Sequence, residues 1–259
     1  MDASTVYLVG AGPGDPELLT VKARRLLDEA DVVVYDRLVS EAVLALIPPG
    51  TARISVGKQP RDHPVPQSEI SRLLVGLARH GRTVVRLKGG DPFIFGRGSE
   101  EAAVLAAHGI RFEVVPGITS ASGCAAAIGV PLTHRGLASG VRFVTGHCRS
   151  DMELGLDWRG LADPDTTLVV YMAMANIDRI AKRLIAHGLA ESTPAAAINN
   201  GTRPEQRHVI STLGQVAQRA AAAGFAGPVL FVVGRVVALG DVLAGQARDP
   251  EAEQRAGLA

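Results

Sequence analysis

Residues 84–101, reading VVRLKGGDPFIFGRGSEE, constrain the fold more tightly than any other stretch of this chain. Residues 84–87 read as a short buried strand, and the run Gly89, Gly90, Asp91, Pro92 breaks it abruptly. Phe93, Ile94 and Phe95 then put large apolar surface on a loop, where polar residues are expected. Gly96, Arg97 and Gly98 set a cation on a flexible backbone, and Ser99 with Glu100 and Glu101 can open the next helix. Strand, glycine turn, apolar loop and helix start is the order in which an α/β fold builds a ligand site at the carboxyl end of a strand. An ordinary strand-to-helix turn is the alternative. The paired glycines, the Asp-Pro step and the three loop hydrophobes favour a site.

The rest of the first half repeats the alternation. Strands are expected at 6–9, 32–35, 53–56 and 112–115, with helices at 41–47, around Ile70, Leu73, Leu74 and Leu77, through Leu105, and over the small residues 121–127. This pattern predicts an α/β fold with a mainly parallel sheet. After the first strand comes Gly10-Ala11-Gly12-Pro13-Gly14-Asp15-Pro16, with Asp15 able to cap a helix and Pro16 at its first turn. The loop resembles a dinucleotide fingerprint but has Asp15 where the last glycine belongs. An acid there repels a pyrophosphate, and Pro13 and Pro16 lack the amide donors a phosphate needs. The reading is a glycine loop that lets a ligand approach the backbone without phosphate binding. Asp36 and Arg37 end the second strand, where a functional pair and a solvated ion pair are both admissible. Residues 59–66, rich in proline and charge, read as a flap, with His63 a solvated loop residue. A connector is expected over 131–140, and 149–165 reads as irregular. Further strands are expected at 141–145, 168–171, 195–198, 207–211 and 229–233, with a helix capped by Asn176 and another over 213–222.

Composition excludes several classes of function. A chain of 259 residues with 47% hydrophobic residues can bury one large or two medium cores. A net charge of +1 argues against broad electrostatic binding to nucleic acid. No apolar run reaches membrane-spanning length, and no signal peptide is seen. Cys124 and Cys148 have no metal-ligand spacing and read as buried free thiols in a reducing cytoplasm. Only Lys22, Lys58, Lys88 and Lys182 among the 27 basic residues are lysines. Codon preference accounts for that on the surface, while arginines inside motifs remain candidates to grip carboxylates.

With these segments placed, the chain resembles the tetrapyrrole methylase family, and within it the branch that methylates uroporphyrinogen III. The resemblance is carried by VGAGPGDPELLT, VYDRLVS, VGK, VVRLKGGDPFIFGRGSEE, VVPGITSASGCAAAIGVPLTHRG, TLVVYMAM, NNGTRPEQR and GPVLFVVGRVV, spread over residues 6–239. It implies two α/β domains of the class III methyltransferase type, expected here at 1–134 and 135–244 with a polar tail at 245–259, and an active site in the cleft between them. It implies a homodimer that uses S-adenosyl-L-methionine and releases S-adenosyl-L-homocysteine; cysteine usage puts it in the cytoplasm, and the lack of a metal-ligand cluster predicts no need for a metal. The implied reaction is methylation of uroporphyrinogen III at C2 and then C7 to precorrin-2, feeding sirohaem and cobalamin biosynthesis. The resemblance puts the adenosyl ligand against Pro13, Gly89, Gly90, Asp91, Ile94, Thr119, Ser120, Met172 and Gly201. It assigns acid–base roles to Asp36 and Lys58. Arg97, Arg135 and Lys58 are the cations expected to meet the substrate's carboxylates, with Arg97 also a candidate for the proton-transfer step and Met172 offering soft apolar packing against ligand and substrate. Taken alone, Met172 and Thr119 fit core packing better, and only the motif context reverses that. A methylase acting on a later corrin intermediate, or on a protein or RNA, is the reading disfavoured by LKGGDPFIFGRG and THRG. A non-catalytic nucleotide-binding module is disfavoured by Asp15.

Overall fold

A computed structural model describes residues 5–57, 65–147, 154–240 and 243. The chain divides into two compact units, Met1–Ser120 and Ala121–Ala259. The sequence suggests a later division, at 134/135. The residues of helix 121–127 go with the second unit because Ala121 and Cys124 pack with Val169, Tyr171 and Ile198 there.

The first unit contains strands β1 (Thr5–Gly10), β2 (Val32–Tyr35), β3 (Ala52–Ser55), β4 (Val84–Lys88) and β5 (Arg111–Val115). All pair in parallel, in the order β3-β2-β4-β1-β5. A parallel sheet must be covered on both faces, and alternate side chains divide accordingly. Val9, Val33, Val85 and Leu87 pack with Ala23, Leu26 and Leu27 of α1 (Val21–Glu29) and Val43 of α2 (Glu41–Leu44). Val6, Leu8, Val32, Val34 and Val84 pack with Ile70 and Leu74 of α3 (Gln67–Arg79) and Leu105 of α4 (Gly98–Ala107). Burying each of the Val, Leu and Ile side chains here contributes about 1.5–3 kcal/mol.

Helix starts differ in detail from expectation. Asp15 does cap a turn, accepting from Glu17 N at 2.9 Å, but the turn is a short 3-10 segment, Pro16–Leu18. Helix α1 begins later, with Thr20 accepting from Ala23 N at 3.1 Å. Helix α2 is shorter than 41–47, because Pro48 and Pro49 stop the chain soon after its first turn. Ser99, Glu100 and Glu101 do open α4, with Arg97 at its N-cap.

The second unit contains α5 (Ser120–Ala127, its first residue belonging to the first unit), β6 (Gly140–Thr145), β7 (Thr166–Tyr171), β8 (Pro194–Asn199), β9 (Arg207–Thr212) and β10 (Val229–Val233), in the order β6-β7-β10-β8-β9. This sheet is mixed. Only β6 and β7 pair in parallel; β10 runs antiparallel to both β7 and β8, and β8 to β9. Helices α7 (Ile177–Ala186) and α8 (Val216–Ala222) pack on one face around Phe231 and Leu184, and Ala121 and Cys124 of α5 on the other around Val232 and Ile198. Asn176 holds the N-cap position of α7 without a side-chain cap; its amide donates instead to Gly146 O at 2.8 Å. The irregular stretch contains a one-turn helix, α6 (Trp158–Leu161), capped by Asp157. The tail, the flap with His63, and Cys148 lie largely outside the described residues.

Candidate active site

Among the described residues, the site residues expected in the first unit gather at the carboxyl ends of β1, β2, β4 and β5. The glycines there explain how three loops meet. A Cβ on Gly10 would lie 2.6 Å from Gly117 Cα and 2.7 Å from Gly90 O. A Cβ on Gly117 would lie 2.8 Å from Gly10 Cα. The space beside these glycines is therefore filled by one another's backbone. Gly12 and Gly90 close the contact with paired hydrogen bonds, Gly12 N to Gly90 O at 3.1 Å and Gly90 N to Gly12 O at 2.7 Å. Gly90 has φ +69, a conformation glycine tolerates and other residues resist, and a Cβ there would sit 3.7 Å from Ser120 Oγ and 3.9 Å from Thr119 Cα. Pro13, Gly89, Gly90, Asp91, Thr119 and Ser120 are thereby brought to one end of one sheet.

Asp91 fastens this arrangement. Its Oδ1 accepts from Phe93 N at 2.8 Å and its Oδ2 from Gly117 N at 3.0 Å. Each oxygen keeps a second lone pair for a ligand. The apolar loop is exposed as expected: Phe93, Ile94 and Phe95 face solvent, and Leu38 and Ile118 are exposed hydrophobes as well. Phe95 and Arg97 both have positive φ, +53 and +59. Such non-glycine strain clusters at functional loops. Arg97 is exposed and bound bidentately to Glu100, Nε to Oε1 at 2.9 Å and Nη2 to Oε2 at 2.8 Å. That hydrogen bond also lowers the Glu100 pKa.

Asp36 takes its ion-pair partner from the neighbouring strand β4. Its partner is Arg86, whose Nη2 donates to Oδ1 at 2.6 Å, with Lys88 Nζ 3.7 Å from Oδ2. Arg86 Nε and Lys88 Nζ each donate to Glu101 Oε1 at 3.1 Å, and Gln67 Nε2 adds a third donor at 2.9 Å. Side-chain exposure is 1% for Arg86, 3% for Lys88 and 0% for Glu101, against 29% for Asp36. Burial and the neighbouring Arg86 lower the Lys88 pKa, opposed by Asp36 and Glu101. Sequence reading missed Arg86 and Glu101 as site residues and counted Lys88 only as a lysine. The signal was there: charges at 86 and 88, two apart in an apolar strand, share the face of Val84. Lys58, expected to share the acid–base role with Asp36, lies outside the described residues.

The remaining expected residues belong to the second unit. Met172 follows β7, exposed and with φ +53. Gly201 follows β8; a Cβ there would come within 2.9 Å of Cys124 Cβ, so glycine is required by packing. Asn200 and Thr202 on either side also have positive φ. Arg135 is exposed in the turn closed by His134 and Ala138. Among the described residues, no group of three or more His, Cys, Asp or Glu could hold a metal ion, and no helix is long and apolar enough to cross a membrane.

Backbone polar groups at glycine turns, a carboxylate with free lone pairs, and apolar side chains form the donor set at these strand ends. The profile of the Tetrapyrrole (Corrin/Porphyrin) Methylases matches residues 5–217. A siroheme synthase of Azotobacter vinelandii is 56% identical over 239 residues, 92% of this chain and 51% of that protein. The chain thus spans about half the length of the curated relatives it matches. A uroporphyrin-III C-methyltransferase from Thermus thermophilus, solved with S-adenyl homocysteine, is 46% identical with TM-score 0.77, covering 91% of this chain and 100% of that one. A cobalt precorrin-4 methyltransferase is 29% identical with TM-score 0.80, covering 90% and 95%. A matched profile over most of the chain, on a fold with a parallel and a mixed sheet and glycine loops at the strand ends, means that this chain belongs to the tetrapyrrole (corrin/porphyrin) methylases.

Proposed function

We propose that this chain transfers methyl groups from S-adenosyl-L-methionine to C2 and then C7 of uroporphyrinogen III, giving precorrin-2 for sirohaem and cobalamin biosynthesis. The observation that carries this reading is the 46% identity to a uroporphyrin-III C-methyltransferase over that enzyme's whole length. The cobalt precorrin-4 enzyme, as similar in fold but 29% identical, motivates the second reading, a later corrin substrate.

The methyl donor supplies an electrophilic carbon on a sulfonium; the protein's task is to orient two partners, exclude water and move a proton. Pro13, Gly89, Gly90, Asp91, Ile94, Thr119, Ser120, Met172 and Gly201 bind the adenosyl ligand in this reading. Asp36 and Lys58 handle protons during loss of hydrogen from the macrocycle. Support for Asp36 is its partial exposure above buried cations that hold the carboxylate in one orientation. Arg97 and Arg135, both exposed, meet the substrate's carboxylates, and Met172 packs against it. Arg97 exchanges Glu100 for a substrate carboxylate, a small sacrifice because an exposed pair contributes at most about 1 kcal/mol. The working form is a cytoplasmic homodimer, and light scattering is expected to return twice the chain mass of 27.0 kDa.

The test is incubation with uroporphyrinogen III and methyl-labelled S-adenosylmethionine. Two labelled methyl groups per macrocycle are expected. Binding of S-adenosylhomocysteine without labelling of uroporphyrinogen III, but with labelling of a later corrin, would replace this reading with the second.

A further inference from the structure

The charges behind Asp36 form a chain from the core to solvent. In β2 and β4, Val32 pairs with Val84 and Val34 with Arg86, so residues 32, 34 and 36 share a face with 84, 86 and 88. That face is covered by α3 and α4, and Gln67 and Glu101 come from the first turns of those helices. Glu101 gathers Arg86, Lys88 and Gln67 on one oxygen, Oε1, while its buried Oε2 has no hydrogen-bond partner. Arg86 and Lys88 reach on to the two oxygens of Asp36, the one charged member with substantial exposure. Two cations and two carboxylates balance in charge. Apolar residues of similar volume generally replace such a buried group at no loss of stability, so stability alone does not account for it. Glu101 also sits one turn from Arg97, whose carbonyl accepts from Glu101 N at 3.4 Å.

We propose that Glu101 is a positioning residue for the reaction: from the first turn of α4 it holds Arg86 and Lys88 so that they fix the Asp36 carboxylate at the strand end. The inference rests on the acid–base reading of Asp36. Glu101 touches neither substrate nor methyl donor; it acts through Asp36, two side chains away.

The experiment is a double-mutant cycle on single-turnover methyl transfer, with S-adenosylhomocysteine affinity measured alongside. Glu101→Gln keeps shape and an acceptor but removes the charge that balances the cations. Transfer is expected to slow by roughly 10-fold or more, the range for a lost charge-assisted contact, with S-adenosylhomocysteine affinity within about two-fold of the parent because the effect runs through Asp36 alone. In an Asp36→Asn background, Glu101→Gln is expected to slow transfer by less than about two-fold, since the residue it positions is gone. Independent, multiplying effects overturn the inference, because a general structural role slows every background alike. Should Glu101→Gln unfold the chain, the charge-balanced pair Lys88→Met with Glu101→Met is the second variant. It is expected to fold and still transfer slowly; folding with full-rate transfer overturns the inference. The two readings fail separately. Full-rate transfer by Asp36→Asn overturns the acid–base role and this inference with it. Slow Asp36→Asn beside a full-rate charge-balanced pair overturns the inference alone.

Discussion

Gly117 and Gly76 make opposite demands on one methyl group. A Cβ at 117 collides with the backbone of Gly10 and Gly90, which cannot move without opening two other strand ends. Gly117→Ala is therefore expected to destabilise by about 1–3 kcal/mol, the range for overpacking. A Cβ at Gly76, inside α3, meets nothing within 4 Å. Gly76→Ala is expected to stabilise by about 0.5–1 kcal/mol by removing chain entropy from a helix interior. Urea midpoints moving in opposite directions check the pair; equal shifts would refute it. Cys124 is a buried thiol, and burial pushes it up from 9.0 to about 11, against a weaker opposing pull from Arg203. A raised thiol stays neutral in the fold while the unfolded chain ionises. Its contribution to stability is thus intact below pH ~9 and lost as pH climbs from there towards 11. At pH 8, native-state labelling with iodoacetamide is expected to be the same with and without Cys124→Ser. Loss of a labelled site in the variant would contradict this.

Loops at the strand ends carry the functional predictions. Asp91 spans the loops after β4 and β5 through Phe93 N and Gly117 N. Asp91→Ala releases both amides and is expected to weaken S-adenosylhomocysteine affinity by roughly 10- to 150-fold, the span of about 1.5–3 kcal/mol for a lost charged contact. Arg97→Ala breaks only the exposed pair with Glu100. It is expected to leave that affinity and the urea midpoint nearly unchanged while slowing methyl transfer by a similar factor. Calorimetric titration and single-turnover transfer on both variants separate the roles. Full-rate transfer by Arg97→Ala would mean that the Glu100 pair is all Arg97 does. Much of this element was legible beforehand: the strand break, the exposed Phe93–Phe95 loop, and the helix after it. The Asp91 bridge was not, because nothing in residues 89–92 says that the amide of Gly117, far along the chain, will arrive opposite its carboxylate.

At the scale of the whole molecule, a ligand that binds only the folded chain raises its stability by mass action. S-adenosylhomocysteine at a hundred times its Kd is expected to add about 2.7 kcal/mol and raise Tm, checked by thermal unfolding with and without ligand. NAD, for which Asp15 and the two prolines leave no phosphate cradle, is expected to leave Tm unmoved; a NAD-dependent rise would overturn that reading. The sequence by itself determined the local elements: strand and helix positions from apolar spacing, the Asp15 cap, the parallel first sheet from strict alternation of strand and helix, and the family from its long motifs. Tertiary structure decided what depends on partners distant in sequence. It turned β8, β9 and β10 antiparallel, because strand direction belongs to a pair and not to a strand. It spent Gly10, Gly90 and Gly117 on one another, and gave Asp36 to Arg86 instead of a neighbour in sequence. Local preference acts within a few residues, whereas a buried charge or a missing Cβ is justified only by whatever the fold brings alongside it.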